Sequence, residues 1–240
     1  MDFGKAFTYV FEDPDWVRKL GIGTLLMLLG ILFSWLIIGL IPLIIILGYT
    51  VDVVRNVMNG ERHPLPEWQD WGGFFNRGLK LFIAFFVWAL PIIIVLIPVM
   101  IGGALTDSNR DLGGMEAIGI LLTICGSCLM LLWSLVLTLF TPAIYVRFAS
   151  TGRLSSAFEF GKLWGFTQRN LGDVIVSIIL VLLAGLIAAV AGMLGFVALL
   201  IGALITIPAA SLWQYLVQSH LFGQIGAKDR ASVLGEIDLS

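Results

Sequence analysis

The chain has 240 residues, 59% of them hydrophobic and 12% charged, with a formal net charge of −2. Soluble domains carry about 25% charged residues, so no water-soluble core could hide this much apolar surface. The net charge points to no particular partner, and the limiting quantity is how many bilayer crossings of roughly 20 residues the chain can supply.

From the N-terminus, Asp2, Glu12, Asp13 and Asp15 precede the first long apolar run, and no small-residue cleavage site follows, so a cleaved signal peptide is not expected. Phe3, Phe7 and Phe11 recur at helical spacing, which predicts an interfacial amphipathic helix over residues 1–15. Asp13-Pro14-Asp15 then supplies a break, an N-cap and a proline in the first turn of the next helix.

Four stretches lack Asp, Glu, Lys and Arg: Leu20 to Val51, Leu81 to Thr106, Ala117 to Val146 and Val174 to Ala227. The middle two suit one crossing each, and the last must fold back. The first is ambiguous, and the basic residues decide it. A hairpin turning near Gly39, with the last stretch turning near Gly192 to Gly195, puts every Lys and Arg except Arg110 on one side, as cytoplasmic loops require.

The expectation is an all-α integral membrane protein of one polytopic domain. Its six crossings are Trp16 to Leu36, Leu40 to Asn59, Leu79 to Ile101, Ala117 to Val146, Leu171 to Ala191 and Phe196 to Gln218. These form hairpins over 16–59, 79–146 (with an exterior loop at 102–115) and 171–218. A cytoplasmic aromatic segment spans 60–78, a cytoplasmic interfacial helix 147–170 and a tail 219–240. Both termini fall in the cytoplasm and the protein in the cell membrane.

Ala6-Phe7 before Arg18-Lys19-Leu20-Gly21 repeats as Ala157-Phe158 before Arg169-Asn170-Leu171-Gly172 at an offset of 151, with a shorter echo at Arg77-Gly78-Leu79. This suggests three units, each an interfacial segment, a basic anchor and a hairpin. Ser156 and Glu159 have capping-box spacing. Small residues recur every four positions at Ala184, Ala188 and Gly192 and at Ala198, Gly202, Thr206 and Ala210, a pattern for close helix packing.

Candidate chemistry is sparse. Cys125 and Cys128 have redox or half-metal-site spacing, but both histidines, His63 and His220, belong to the other side, so the cysteines read as buried packing residues and no metal site is expected. Midplane ionisable groups, the mark of ion transport, are missing, since Asp52, Asp173 and His220 sit near helix ends. No Walker loop, nucleophile elbow, HExxH pair or nucleic-acid motif is present. No enzyme activity and no cofactor are expected.

Tyr49, Asp52, Arg55, Gln214, Tyr215, Gln218 and His220 give two helices a polar cytoplasmic end, read either as a shared cavity or as snorkelling side chains. In Leu65-Pro66-Glu67-Trp68-Gln69-Asp70-Trp71 the prolines favour a defined turn. With Pro66 in a first helical turn, Trp68 and Trp71 would project from one face, either as headgroup anchors or as partner contacts through Leu65, Pro66, Glu67, Trp68, Asp70 and Trp71.

This segment, together with Gly48-Tyr49 through Arg55, Gly60, Gly72, Phe75, Gly78-Leu79, Thr141-Pro142-Ala143 and His220-Leu221-Phe222-Gly223-Gln224, resembles the prokaryotic membrane proteins grouped as domain of unknown function family 4013. The resemblance implies a polytopic bacterial or archaeal membrane protein without an assigned activity. The residues lead to a non-enzymatic membrane protein in contact with lipid, binding a membrane-protein partner or a second copy through its cytoplasmic face, as an accessory subunit. The rival reading is a transporter or flippase for a lipid-like or neutral molecule.

Overall fold

The computed structural model describes residues 1–106 and 115–238. Among them the regular structure is helical: α1 (Phe3–Glu12), α2 (Trp16–Leu32), α3 (Leu40–Met58), α4 (Trp71–Leu105), α5 (Glu116–Thr151), α6 (Phe160–Arg169), α7 (Leu171–Leu194) and α8 (Leu199–Asp238). The segment Ile37–Met58, which includes α3, together with α4, α5 and α7, is long and apolar enough to cross a membrane.

The bulk of the expected hairpin loop at 102–115 lies outside the described residues, Arg110 included. Elsewhere several expected bounds shift. α4 starts eight residues before Leu79 because Asp70 caps it, its Oδ1 accepting from the Gly73 N–H at 2.9 Å. The tail after Gln218 continues α8 as helix. Asp15 precedes α2 without a side-chain cap, and Pro14 lies outside that helix. Ser156 is not a capping-box partner of Glu159: its hydroxyl donates to the Arg153 carbonyl, and Glu159 pairs with Arg147 and Lys162 instead.

Two glycines end helices where a side chain would be strained. Gly60 (φ 74°) follows α3 and Gly152 (φ 65°) follows α5, both in the left-handed conformation that closes a helix C-terminus.

The chain divides into two compact units, residues 1–82 with 142–240, and residues 83–141. In the first, α8 is the central element, packed against α1, α2, α3 and α7. Its contact with α7 uses the small residues: Ala184 and Ala188 are buried, a Cβ on Gly192 would meet Ile207, and Thr206 donates to the Gly192 carbonyl at 3.2 Å. α3 and the start of α4 touch backbone to backbone. A Cβ on Gly48 would lie 1.8 Å from the Phe74 carbonyl oxygen, and one on Gly78 1.8 Å from that of Ile44.

In the second unit, the α4 and α5 segments run antiparallel, as the pairs Trp88–Trp133, Val99–Gly126 and Gly102–Gly119 show. The Trp133 indole donates to the Trp88 carbonyl at 2.8 Å. Ile118, Leu121, Ile124, Leu129, Leu131 and Leu132 of α5 are all exposed. A face this apolar is untenable in water and ordinary in lipid. Cys125 and Cys128 are free and exposed, not buried packing residues: it is Gly126 between them that meets Val99 of α4.

Candidate functional site

The chain between α3 and α4 folds inward, and its residues explain how. Pro64 and Pro66 hold the backbone extended, which leaves successive carbonyls without a helical or strand partner. Side chains take their place. Asn56 Nδ2 donates to the Pro64 carbonyl at 3.0 Å, Lys19 Nζ to that of Leu65 at 2.9 Å and the Tyr49 hydroxyl to that of Pro66 at 3.1 Å. The segment thereby seals the gap between α2, α3 and α4.

Trp68 completes the seal. Its indole N–H donates to the Lys19 carbonyl at 2.9 Å, its ring stacks on Tyr49 at 4.2 Å, and Phe74 meets its edge. With Leu65, Tyr9, Met27, Val53, Leu212 and Leu216 it forms one apolar cluster. The expectation that Trp68 and Trp71 share a helix face is corrected. Trp68 sits in the turn before α4, and Trp71 is the first residue of that helix. The two indoles still stack, 5.4 Å apart, but Trp68 is 9% exposed and Trp71 42%.

Charges surround this seal. Lys19, nearly buried, pairs with Asp13 Oδ2 at 2.7 Å and Glu67 Oε1 at 2.9 Å, while Arg18 holds the other Glu67 oxygen and Asp15. Arg77 bridges Asp52 at 2.7 Å and Asp70 at 3.0 Å. The hydrogen bond from Arg77 holds the Asp70 carboxyl below the usual carboxylate range, with help from the Gly73 N–H. Glu159 is lowered likewise, first by Lys162 and then by Arg147.

The repeated positions behave alike. Arg18 and Lys19 grip Glu67, whereas Arg169 and Asn170 grip Asp229: Arg169 Nε donates to Asp229 Oδ1 at 3.1 Å and Asn170 Nδ2 to the same oxygen at 2.7 Å. Each pair fastens the start of a long helix to a distant segment.

A second fastening joins α1 to α8. Gln224 and the Asp2 backbone exchange hydrogen bonds of 2.7 and 2.8 Å. Tyr9 stacks on His220 at 4.3 Å and donates to the Leu216 carbonyl. Gly223 lets α8 reach α3, where a Cβ would lie 2.6 Å from Val57. Burial pushes the Tyr9 phenol well above its ordinary value and His220 down to about 4.

The seven residues expected at a polar end are not gathered into one cavity. Tyr49 and His220 point into the core. Asp52 and Arg55 pair with each other, and Arg55 Nε donates to the Ala149 carbonyl at 3.0 Å. Gln214 faces Gly185 on α7, Gln218 is half-buried on α8, and Tyr215 lines an apolar cavity with Met27 and Leu47. From the sequence, Lys19 and Arg77 had only topological and anchoring roles and Asp13 only a place in the break before α2, and Asn56 went unnoticed. Their pairing partners lie in other segments, so no local spacing marks them.

Residues 31–207, which include the whole clasped segment, match the family described as "Protein of unknown function (DUF4013)". The chain belongs to that family. No curated protein and no solved structure matches it. Family 4013 itself carries no assigned activity, so the chemistry of this member rests on its own residues.

Proposed function

We propose that this family 4013 protein is a non-enzymatic, multi-pass protein of the cell membrane, an accessory subunit that docks a protein partner through Trp71 at its cytoplasmic end. The exposed indole of Trp71, stacked on a Trp68 that is itself locked by Lys19 and Tyr49, carries this reading. An aromatic anchor held rigid before binding loses little entropy on contact, and partly exposed Arg18, Glu67 and Asp70 supply the polar rim such anchors have. The titratable groups nearby are engaged in pairs that fasten helices together, which supports a docking surface over a reaction centre.

Six crossings fit this reading. α2 has 17 residues, the short end of the spanning range, and the first half of α8 returns beside α7. α1 and α6 then lie along the cytoplasmic surface, with Phe3, Phe11, Phe160 and Trp164 exposed toward headgroups.

A photo-reactive amino acid at position 71, activated in native membranes, should form one discrete protein adduct. Trp71→Ala should insert and fold normally yet recover that partner about 30-fold less well, the effect of losing roughly 2 kcal/mol at an anchor. Adducts to lipid alone, or full partner recovery by Trp71→Ala, would overturn the reading and leave Trp71 a headgroup anchor.

A further inference from the structure

A cavity of about 260 Å³ lies beside α3 in the first compact unit, and every residue lining it belongs to that unit. Leu43, Leu47 and Thr50 succeed one another along one face of α3, so the cavity follows the helix for about two turns. Met27 of α2 closes its apolar side.

One end is polar without being charged. Thr50 donates to the Leu47 carbonyl at 2.7 Å and shares a hydrogen bond with Tyr145, and Tyr215 lines the same cavity. Tyr215 is 45% exposed and brings a phenol to the cavity lining. Among the described lining residues there is no Asp, Glu, Lys, Arg or His. A charged headgroup would find no counter-charge, whereas a hydroxyl or ester would find donors and acceptors together.

Size and shape agree. An apolar cavity of about 150 Å³ accepts benzene, so this one has room for a stretch of alkyl chain. Its long axis follows a helix whose apolar sequence suits a bilayer crossing, which aligns an occupant with the surrounding lipid chains.

We propose that this cavity binds a neutral long-chain amphiphile, its chain lying along Met27, Leu43 and Leu47 and its uncharged head hydrogen-bonded among Thr50, Tyr145 and Tyr215. The site is independent of the Trp71 surface. It selects for a chain carrying an alcohol or ester head and against the same chain carrying a carboxylate or phosphate.

The full chain, purified in mild detergent, would be exposed to a monoacylglycerol bearing a diazirine in its acyl chain, irradiated, and mapped by peptide mass spectrometry. Labelling should concentrate on α3 between Leu40 and Val51 and on the α8 peptide around Tyr215. An excess of monoolein should compete it away, while the same concentration of oleate should not. Leu47→Trp, which fills the cavity, should abolish the site-specific label, and Tyr215→Phe should weaken monoolein competition about fivefold, as one lost hydrogen bond would. Because Leu47→Trp tests packing as well as binding, its thermal midpoint would be measured alongside, and Tyr215→Phe decides the matter if that variant unfolds. Labelling spread evenly over the lipid-facing sides of α5 and α7, equal competition by oleate, or Tyr215→Phe indistinguishable from the parent would each overturn the proposal.

Discussion

At the scale of single residues, the buried polar groups are the ones the fold depends on. Lys19 is the clearest case: its ammonium is removed from water and survives because two carboxylates and the Leu65 carbonyl surround it. His220 makes a measurable prediction. Burial among Tyr9, Gln224, Lys5 and Asp2 lowers it to about 4, with Lys5 adding to the effect and Asp2 opposing it. The folded protein therefore holds His220 neutral where the unfolded chain would protonate it. Stability from this group is fully present above about pH 6.5, declines as the pH falls from there, and has lost roughly 3 kcal/mol near pH 4. The thermal midpoint in detergent should fall between pH 6.5 and 5, above the range where ordinary carboxylates titrate, and His220→Gln should flatten that slope. A parent midpoint constant over this interval would remove His220 from the account.

Among the helices, the decisive contact is α3 against the start of α4, where Gly48 and Gly78 place one backbone directly on the other. No rotamer relieves a Cβ set 1.8 Å from a carbonyl oxygen, so the helices themselves must part. Gly48→Ala and Gly78→Ala should each destabilise the protein by about 1–3 kcal/mol or more, despite the better helix propensity of alanine. Gly21→Ala, at an exposed position of α2 with no atom near the new methyl, should be neutral or slightly stabilising. Unfolding in a chemical denaturant would compare the three variants. The same contact also explains Arg77. Starting α4 at Trp71 carries its guanidinium over the Phe74 ring and between Asp52 and Asp70, tying α3 to the segment that caps α4.

For the whole molecule, topology is the property to test. In a background with Cys125 and Cys128 replaced by Ser, a cysteine at Ser108 should react with a membrane-impermeant thiol reagent added to intact cells. Cysteines at Asn59 and Ser155 should react only after the membrane is opened. Labelling of Asn59 from outside would break the six-crossing arrangement, because it would place the end of α3 on the same side as Ser108.

The all-helical class, the long apolar helices, the turn near Gly39 and the family were all legible in the sequence, because hydropathy, charge position and helix-breaking residues act over short distances along the chain. The Leu65 to Trp71 segment was recognisable as ordered for the same reason, since its prolines restrict their own neighbours. What its residues do was not legible. Whether Trp68 faced headgroups, a partner or its own core depended on Lys19 and Tyr49, brought to it from two other helices. The hydroxyls of Thr50, Tyr145 and Tyr215 likewise meet only when α3, α5 and α8 pack together. Periodicity fixes which face of a helix is apolar, but in a chain where nearly every face is apolar it cannot say which one meets protein and which meets lipid, and only the packed structure decided that.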